Sequence, residues 1–460
     1  MDILKEIIDS LGAAVVVPIV IFIIAKVFKV TTKKSFLAAM YAGVGLAGFM
    51  LLINAFTPII SPVIQRMVNN TGVNLPVFDV GWQATALVAY STDAGMIYLG
   101  IGIVLQTVLF LIKWTDVFQP SDLWNNYSYM VWGAMVTTVT GSFALGISCM
   151  ILMNLYSLLI SELLAKRWSK YYNYPNCTII AMHNVEPSIF AIVIEPIYNF
   201  LGLNKIKLNP QTVQEKFGFL GEPMTLGLVL GILIGIIGNM DRITTIMAWG
   251  EIFKVGISTS AVMAIFPKVA AVFSQAFAAI TEAARKMMSK QTDREWYIAV
   301  NDACGYGEPA TLTCGLILIP IMVFIAVILP GNQTLPVVDL LAIPYMVQGL
   351  VAVHNGNIVK IVISGVIWFS LGLLVCTATA PLFTSIATTV GVAIPATAML
   401  ITSFNILGKP LMSLVFFAFL SGSPIWIGVA VVIYFAGFAF YKMNKQKITD
   451  YIDVQAAKNA

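Results

Sequence analysis

Apolar stretches separated by short polar clusters fill the chain from Leu11 to Tyr441. The uncharged or nearly uncharged runs cover residues 11–25, 36–65, 84–112, 129–161, 178–201, 224–240, 255–281, 310–330, 340–385, 387–408 and 411–441. A transmembrane helix takes about 20 mostly apolar residues. The pattern therefore predicts an all-α polytopic membrane protein with about 11 transmembrane helices plus re-entrant hairpins. Residues 129–161 and 340–385 are too long for one crossing and are each expected to form a hairpin followed by a helix.

The second half echoes the first at an offset of about 216 residues, with Pro120 matching Pro336 and Tyr129-Met130-Val131-x-Gly133 matching Tyr345-Met346-Val347-x-Gly349. Trp82 and Trp296 fall at nearly the same offset. Equivalent loops differ in charge: residues 68–80 carry only Asp79, whereas residues 284–296 carry Arg285, Lys286, Lys290 and Arg294. Opposite charge bias on equivalent loops is expected of an inverted-topology repeat. The reading is a first repeat over 1–217, a second over 218–408, an extra C-terminal helix over 409–441 and a cytoplasmic tail over 442–460.

Basic clusters at Lys26 to Lys34, Lys205 to Lys216, Arg285 to Arg294 and Lys442 to Lys447 place those loops and the C-terminus in the cytoplasm by the positive-inside rule. The N-terminus is then outside. Lys166, Arg167 and Lys170 run against that assignment.

Composition narrows the function. The chain is 59% hydrophobic and 10% charged, against about 25% charged residues in soluble domains. Such a surface needs a lipid bilayer around it. The net charge of +4 is not clustered, so no nucleic-acid partner is implied. Asp2, Lys5, Glu6 and Asp9 precede the first apolar run in place of a basic n-region, so residues 11–28 read as a retained helix. Five scattered cysteines, two histidines and no hydrolase, kinase, P-loop or zinc motif leave no cofactor or metal to expect.

Polar groups inside apolar sequence are costly and mark candidate sites. In Asn301-Asp302-Ala303-Cys304-Gly305-Tyr306-Gly307-Glu308-Pro309, Glu308 is read either as an acceptor for substrate hydroxyls or as a helix cap at an interfacial turn. His354, Asn355 and Asn357 surround Gly356 at an expected re-entrant tip; a plain interhelical loop is the alternative. His183 and Glu186 sit near Pro187 as ligands or as a packing pair, and Gln83 and Asp93 are weaker candidates. Glu195 precedes Pro196 and is read as bonding a freed backbone group.

Several motifs together resemble the galactitol-type EIIC permease subunit of the phosphoenolpyruvate-dependent sugar phosphotransferase system. These are Asp79-Val80-Gly81-Trp82, Lys216-Phe217-Gly218-x-x-Gly221-Glu222-Pro223, Pro330-Gly331-Asn332-Gln333-x-Leu335-Pro336 with Asp339-Leu340, Ala352-Val353-His354-x-Gly356-Asn357 and Ile363-Ser364-Gly365-Val366-Ile367. The resemblance implies a homodimer in the bacterial cell membrane, with scaffold and mobile core domains, that imports a sugar alcohol such as galactitol by an elevator-like movement. It also implies that phosphate comes from a separate cytosolic EIIB, itself charged by EIIA. The chain carries Gly307-Glu308-Pro309 where that family carries Gly-His-Thr, which leaves the polyol open. Two other readings remain: an ion-coupled symporter using Asp93, Asp302 or Glu308, and an intramembrane enzyme using His183, Glu186 and His354.

Overall fold

The computed structural model describes residues 13–27, 29–70, 75–210, 212, 222–288, 294–392, 394 and 398–459. Lys216, Lys290, the motif segment 216–221 and the expected repeat boundary after 217 lie outside the described residues. The chain opens with α1 (Ala13–Val27), α2 (Thr32–Asn69), β1 (Val77–Asp79), α3 (Trp82–Ser91) and α4 (Asp93–Leu111). It continues through β2 (Val117–Phe118), a 3-10 segment (Gln119–Asn126), α5 (Tyr127–Thr140), α6 (Phe143–Tyr171), β3 (Cys177–Thr178) and α7 (Met182–Phe200). The second half holds α8 (Pro223–Gly238), α9 (Ile246–Met288), β4 (Tyr297–Ala299), α10 (Ala303–Tyr306), α11 (Pro309–Ile328) and β5 (Thr334–Leu335). A 3-10 segment (Asp339–Ala342), α12 (Ile343–Met346), α13 (Gln348–Val353), α14 (Ile358–Thr389), β6 (Leu400–Thr402), α15 (Phe404–Leu407), α16 (Pro410–Leu420) and α17 (Pro424–Ala457) complete it.

Among the described residues, five helices are long and apolar enough to cross a membrane: α4, α6, α11, α14 and α17. Of the other apolar runs, 36–65 lies within α2 and 255–281 within α9. The run 129–161 breaks at Gly141, which adopts φ 67°, and Ser142 then caps α6 by accepting from the Leu145 amide at 3.3 Å. The run 340–385 breaks at the turn formed by Asn355 (φ 53°) and Gly356 (φ 74°), after which Asn357 caps α14. The single helix expected over 411–441 is interrupted at Gly422 (φ 62°) and restarted by Pro424, and α17 continues through the expected tail. Proline is suited to a first helical turn because its missing N–H would have no partner there.

α1, α2, α8 and α9 pack on one another as a four-helix group. Gly227, Gly231 and Gly235 form the stripe of α8 that faces α9; a Cβ on Gly231 would lie 2.8 Å from the Gly256 Cα. Small residues let helices approach backbone to backbone where lipid supplies no hydrophobic drive. At one end of this group Glu251 accepts from both Arg66 and Arg242. The group meets the rest of the chain across an apolar cleft, with Phe56, Val262 and Met263 on one wall and Leu312, Leu316 and Ile319 on the other.

Two three-stranded parallel sheets lie within the rest, in the orders β5-β1-β6 and β2-β4-β3. Each has a central strand from one half of the chain flanked by two strands from the other. At the end of the first sheet the Asp79 carboxylate accepts from the amides of Gly81, Val337 and Phe404, each at 3.1 Å, and from Asp339 at 2.7 Å. Asp339 accepts from the amides of Trp82 and Asn405, both at 2.9 Å, and from the Ser403 hydroxyl at 2.6 Å. Both carboxylates are thus saturated, mostly by backbone.

The polar half of α17 is tied down outside the hydrocarbon. Lys442 and Lys445 reach Glu162, and Asp116 accepts from Lys445 and Arg294. Burial pushes the Asp116 pKa up, but Lys445 and Arg294 outweigh it and hold the carboxyl below the ordinary range.

Candidate functional site

Beyond the second sheet the equivalent carboxylates are arranged differently. Asp302 follows β4, Asp122 lies in the 3-10 segment after β2, and both are buried. Asp302 is held by side chains: His183 Nε2 lies 2.7 Å from Oδ2, Asn125 Nδ2 donates to Oδ1 at 3.3 Å, and Asn184 Nδ2 donates to Oδ2 at 3.5 Å. Asn125 also donates to Asp122 at 2.8 Å. From the other hairpin tip, the Gln348 amide donates to the Asp302 carbonyl at 2.7 Å.

Close backbone packing makes this convergence possible. A Cβ on Gly349 would lie 2.7 Å from the Asn184 carbonyl oxygen, and one on Gly305 would lie 2.2 Å from Gln348 Oε1. With His183 Nε2 bonded to a carboxylate, the neutral ring leaves Nδ1 as an acceptor. That atom, Asn184 Oδ1 and Gln348 Oε1 are buried without a hydrogen-bond partner. Three acceptors on residues that all bond Asp302 therefore await O–H or N–H donors. Leaving one unmatched costs about 1–3 kcal/mol.

The other expected residues fall into three groups. His354 is fully buried, its Nδ1 2.5 Å from Glu195 Oε2 and its Nε2 2.9 Å from the Ser364 hydroxyl; Glu195 in turn accepts from Lys360 at 2.8 Å and from Asn459 at 2.7 Å. Every polar atom of that imidazole is used. Glu308 caps α11 by accepting from the Thr311 amide at 2.8 Å, and the Tyr171 hydroxyl donates to it at 3.0 Å. A Cβ on Gly356 would lie 2.5 Å from that Tyr171 hydroxyl, and Arg167 bonds both Asn355 and, at 2.7 Å, the Ala352 carbonyl. Glu308 and the 354–357 turn are thus brought together through Tyr171. Asn357 also donates to the Ile206 carbonyl at 2.9 Å.

Glu186 accepts from the amides of Leu411 at 2.5 Å and Met412 at 3.2 Å, capping α16. Gln83 and Asp93 are exposed, apart from the Asp302 network. Asp122, Asn125 and Gln348 joined the site without having been singled out from sequence. The only signal for Gln348 was its place beside the Tyr345 to Gly349 repeat motif. Among the described residues no group of three His, Cys, Asp or Glu is placed to hold a metal, and the five cysteines are free and buried.

The Glu308 geometry separates capping from ligand binding. Glu308→Ala should lower stability by about 0.5–2 kcal/mol, the usual cost of a lost N-cap, while Glu308→Gln should retain most of it. Thermal unfolding of both variants in detergent is the check, and equal losses would show that the charge and not the cap matters.

The chain was compared with known proteins. Residues 6–397 match the family EIIC-GAT, described as the PTS system sugar-specific permease component. The galactitol-specific EIIC component of the phosphotransferase system in Escherichia coli (strain K12) is 30% identical over 392 residues, 85% of each chain, and the protein of that name in Escherichia coli O157:H7 matches equally. A second K12 protein, named as a permease IIC component, is 31% identical over 384 residues, 82% of this chain and 85% of that one. With a helical membrane fold and a family match over nearly its whole length, the chain belongs to the EIIC-GAT family of sugar-specific permease components of the phosphotransferase system.

Proposed function

We propose that this permease carries a sugar alcohol such as galactitol, held at the Asp302 network, and that a cytosolic EIIB charged by EIIA phosphorylates it on the inner side. The observation that carries the reading is the set of unmatched acceptors His183 Nδ1, Asn184 Oδ1 and Gln348 Oε1 around one buried carboxylate. A polyol brings several O–H donors to such a set. A phosphate brings only acceptors and about −1.5 to −2 charges. The site therefore favours the polyol over its phosphorylated product, which promotes release inside and makes trapping the driving force.

The elevator reading is supported by the division into a four-helix group and a larger body that meet across apolar side chains. An apolar contact surface slides without breaking fixed hydrogen bonds. The inverted repeat is supported by the exchange of central strands between the two sheets. We assign repeats over 1–217 and 218–408, a homodimer in the cell membrane, an outside N-terminus and a cytoplasmic C-terminus.

Three outcomes are expected. Cysteines introduced at positions 70 and 290 should label from opposite sides of the membrane; labelling from one side rules out the inverted arrangement. The purified chain should bind galactitol without modifying it, and phosphogalactitol should form only with EIIB, EIIA and the phosphoenolpyruvate-dependent donor proteins. Accumulation of unmodified polyol in vesicles on a proton gradient would instead establish a symporter. Finally, Asp302→Asn and His183→Ala should weaken galactitol binding at least tenfold while the protein stays folded, whereas Asp79→Asn, which disturbs a backbone-saturated carboxylate, should lower the unfolding temperature. Wild-type affinity in both Asp302→Asn and His183→Ala would remove the network from the site.

A further inference from the structure

Two lysines are fully buried in the larger body, and they are treated oppositely. Lys360 Nζ donates to Glu195 at 2.8 Å, Asn199 at 2.7 Å and Asn459 at 2.5 Å. Lys409 Nζ is equally buried and makes no hydrogen bond. Glu186 bonds the amides of Leu411 and Met412, two and three residues beyond Lys409, through Oε1, while its Oε2 is buried with no partner. Asn405, four residues before Lys409, anchors its amide on Asp339 at 2.9 Å and leaves its Oδ1 unmatched. A buried ammonium and a nearby buried carboxylate oxygen that both lack hydrogen bonds are an expensive arrangement for a packing role alone, because desolvated ions repay their burial only when their remaining protons and lone pairs are satisfied.

We propose that Lys409, Glu186 and Asn405 form a second subsite that binds a hydroxyl group of the carried polyol. The claim rests on the polyol reading above and extends it to residues that flank α16. A hydroxyl group accepts from the Lys409 ammonium and donates to Glu186 Oε2 or Asn405 Oδ1, so one group satisfies both sides. Glu186 lies three residues beyond His183 on α7, which offsets their backbone positions by about 4.5 Å along the helix axis at 1.5 Å per residue. An acyclic polyol bridges that distance. The acceptors around Asp302 then take hydroxyl protons at one end, and the ammonium takes a hydroxyl oxygen at the other. Lys409 is the specificity element, since a ligand without a hydroxyl at that end leaves the ammonium unpaired.

The test uses the full chain in detergent, galactitol and its monodeoxy analogues, and calorimetric binding. In the double variant Glu186→Gln/Lys409→Met the amide retains an acceptor for the α16 cap and no charge is stranded. It should bind galactitol about 10- to 100-fold more weakly than wild type, as expected for a lost hydrogen bond to a charged group. One monodeoxy analogue should bind wild type and variant alike, identifying the hydroxyl involved. Asn405→Ala, which leaves the charges in place, should weaken galactitol binding by a smaller factor while the unfolding temperature holds. Wild-type galactitol affinity in a folded double variant overturns the subsite alone. If the double variant does not fold, a wild-type chain that binds every monodeoxy analogue as tightly as galactitol overturns it. A wild-type chain that binds no polyol at all overturns both this claim and the polyol reading.

Discussion

Everything polar in the interior of this protein has to find its partner within the protein. Hydrocarbon offers no hydrogen bonds, and broken helices at membrane depth expose amides and carbonyls that a continuous helix would satisfy. The fold answers with short parallel strands and carboxylates placed where the chain breaks. Asp79 alone collects four backbone amides from three separate parts of the chain, and Asp339 collects two more and a hydroxyl. The loops before α3, α12 and α15 are held to one another by these two side chains.

The same device occurs twice with different consequences. Asp79 and Asp339 are matched mainly by backbone groups, whose positions are fixed by the strands and helix starts around them. Asp122 and Asp302 are matched by His183, Asn125 and Asn184, whose side chains can turn. Networks of side chains in a low-dielectric interior gain from full satisfaction and lose heavily when partly satisfied. One carboxylate pair therefore holds the architecture together, and around the other three buried acceptors stay unmatched.

Much of this was legible in the sequence, and the reasons are specific. The breaks at Gly141 and Gly356 follow from glycine and asparagine interrupting apolar runs. The match of Tyr129 to Gly133 with Tyr345 to Gly349 pointed to the two hairpin helices that carry the ligand-facing tips. Glu308 was marked as either a ligand or a cap, and the structure makes it a cap that also meets Tyr171. The Asp302 network was harder to see, because Asp122, His183, Asp302 and Gln348 come from four segments that only the folded hairpins unite. Lys409 did leave a trace: it is the one charge separating the apolar runs 387–408 and 411–441. A lysine there reads as an ordinary interhelical residue until its burial is known.

Charge distribution gives the arrangement its direction. Around Asp302 the unmatched groups are acceptors, and the Glu195 cluster near the C-terminal end of α7 holds its two cations, Lys360 and Arg167, in contact with Glu195, Asn355 and the end of α17. A neutral polyol meets complementary acceptors in the interior. Its phosphorylated product would meet the same acceptors as a repelled anion, whereas Lys360 and Arg167 lie where α6, α7, α14 and α17 converge. On the proposed reading, phosphorylation changes which end of the path attracts the molecule, and a permease driven by trapping moves substrate one way because the cargo itself changes sign of interaction on arrival.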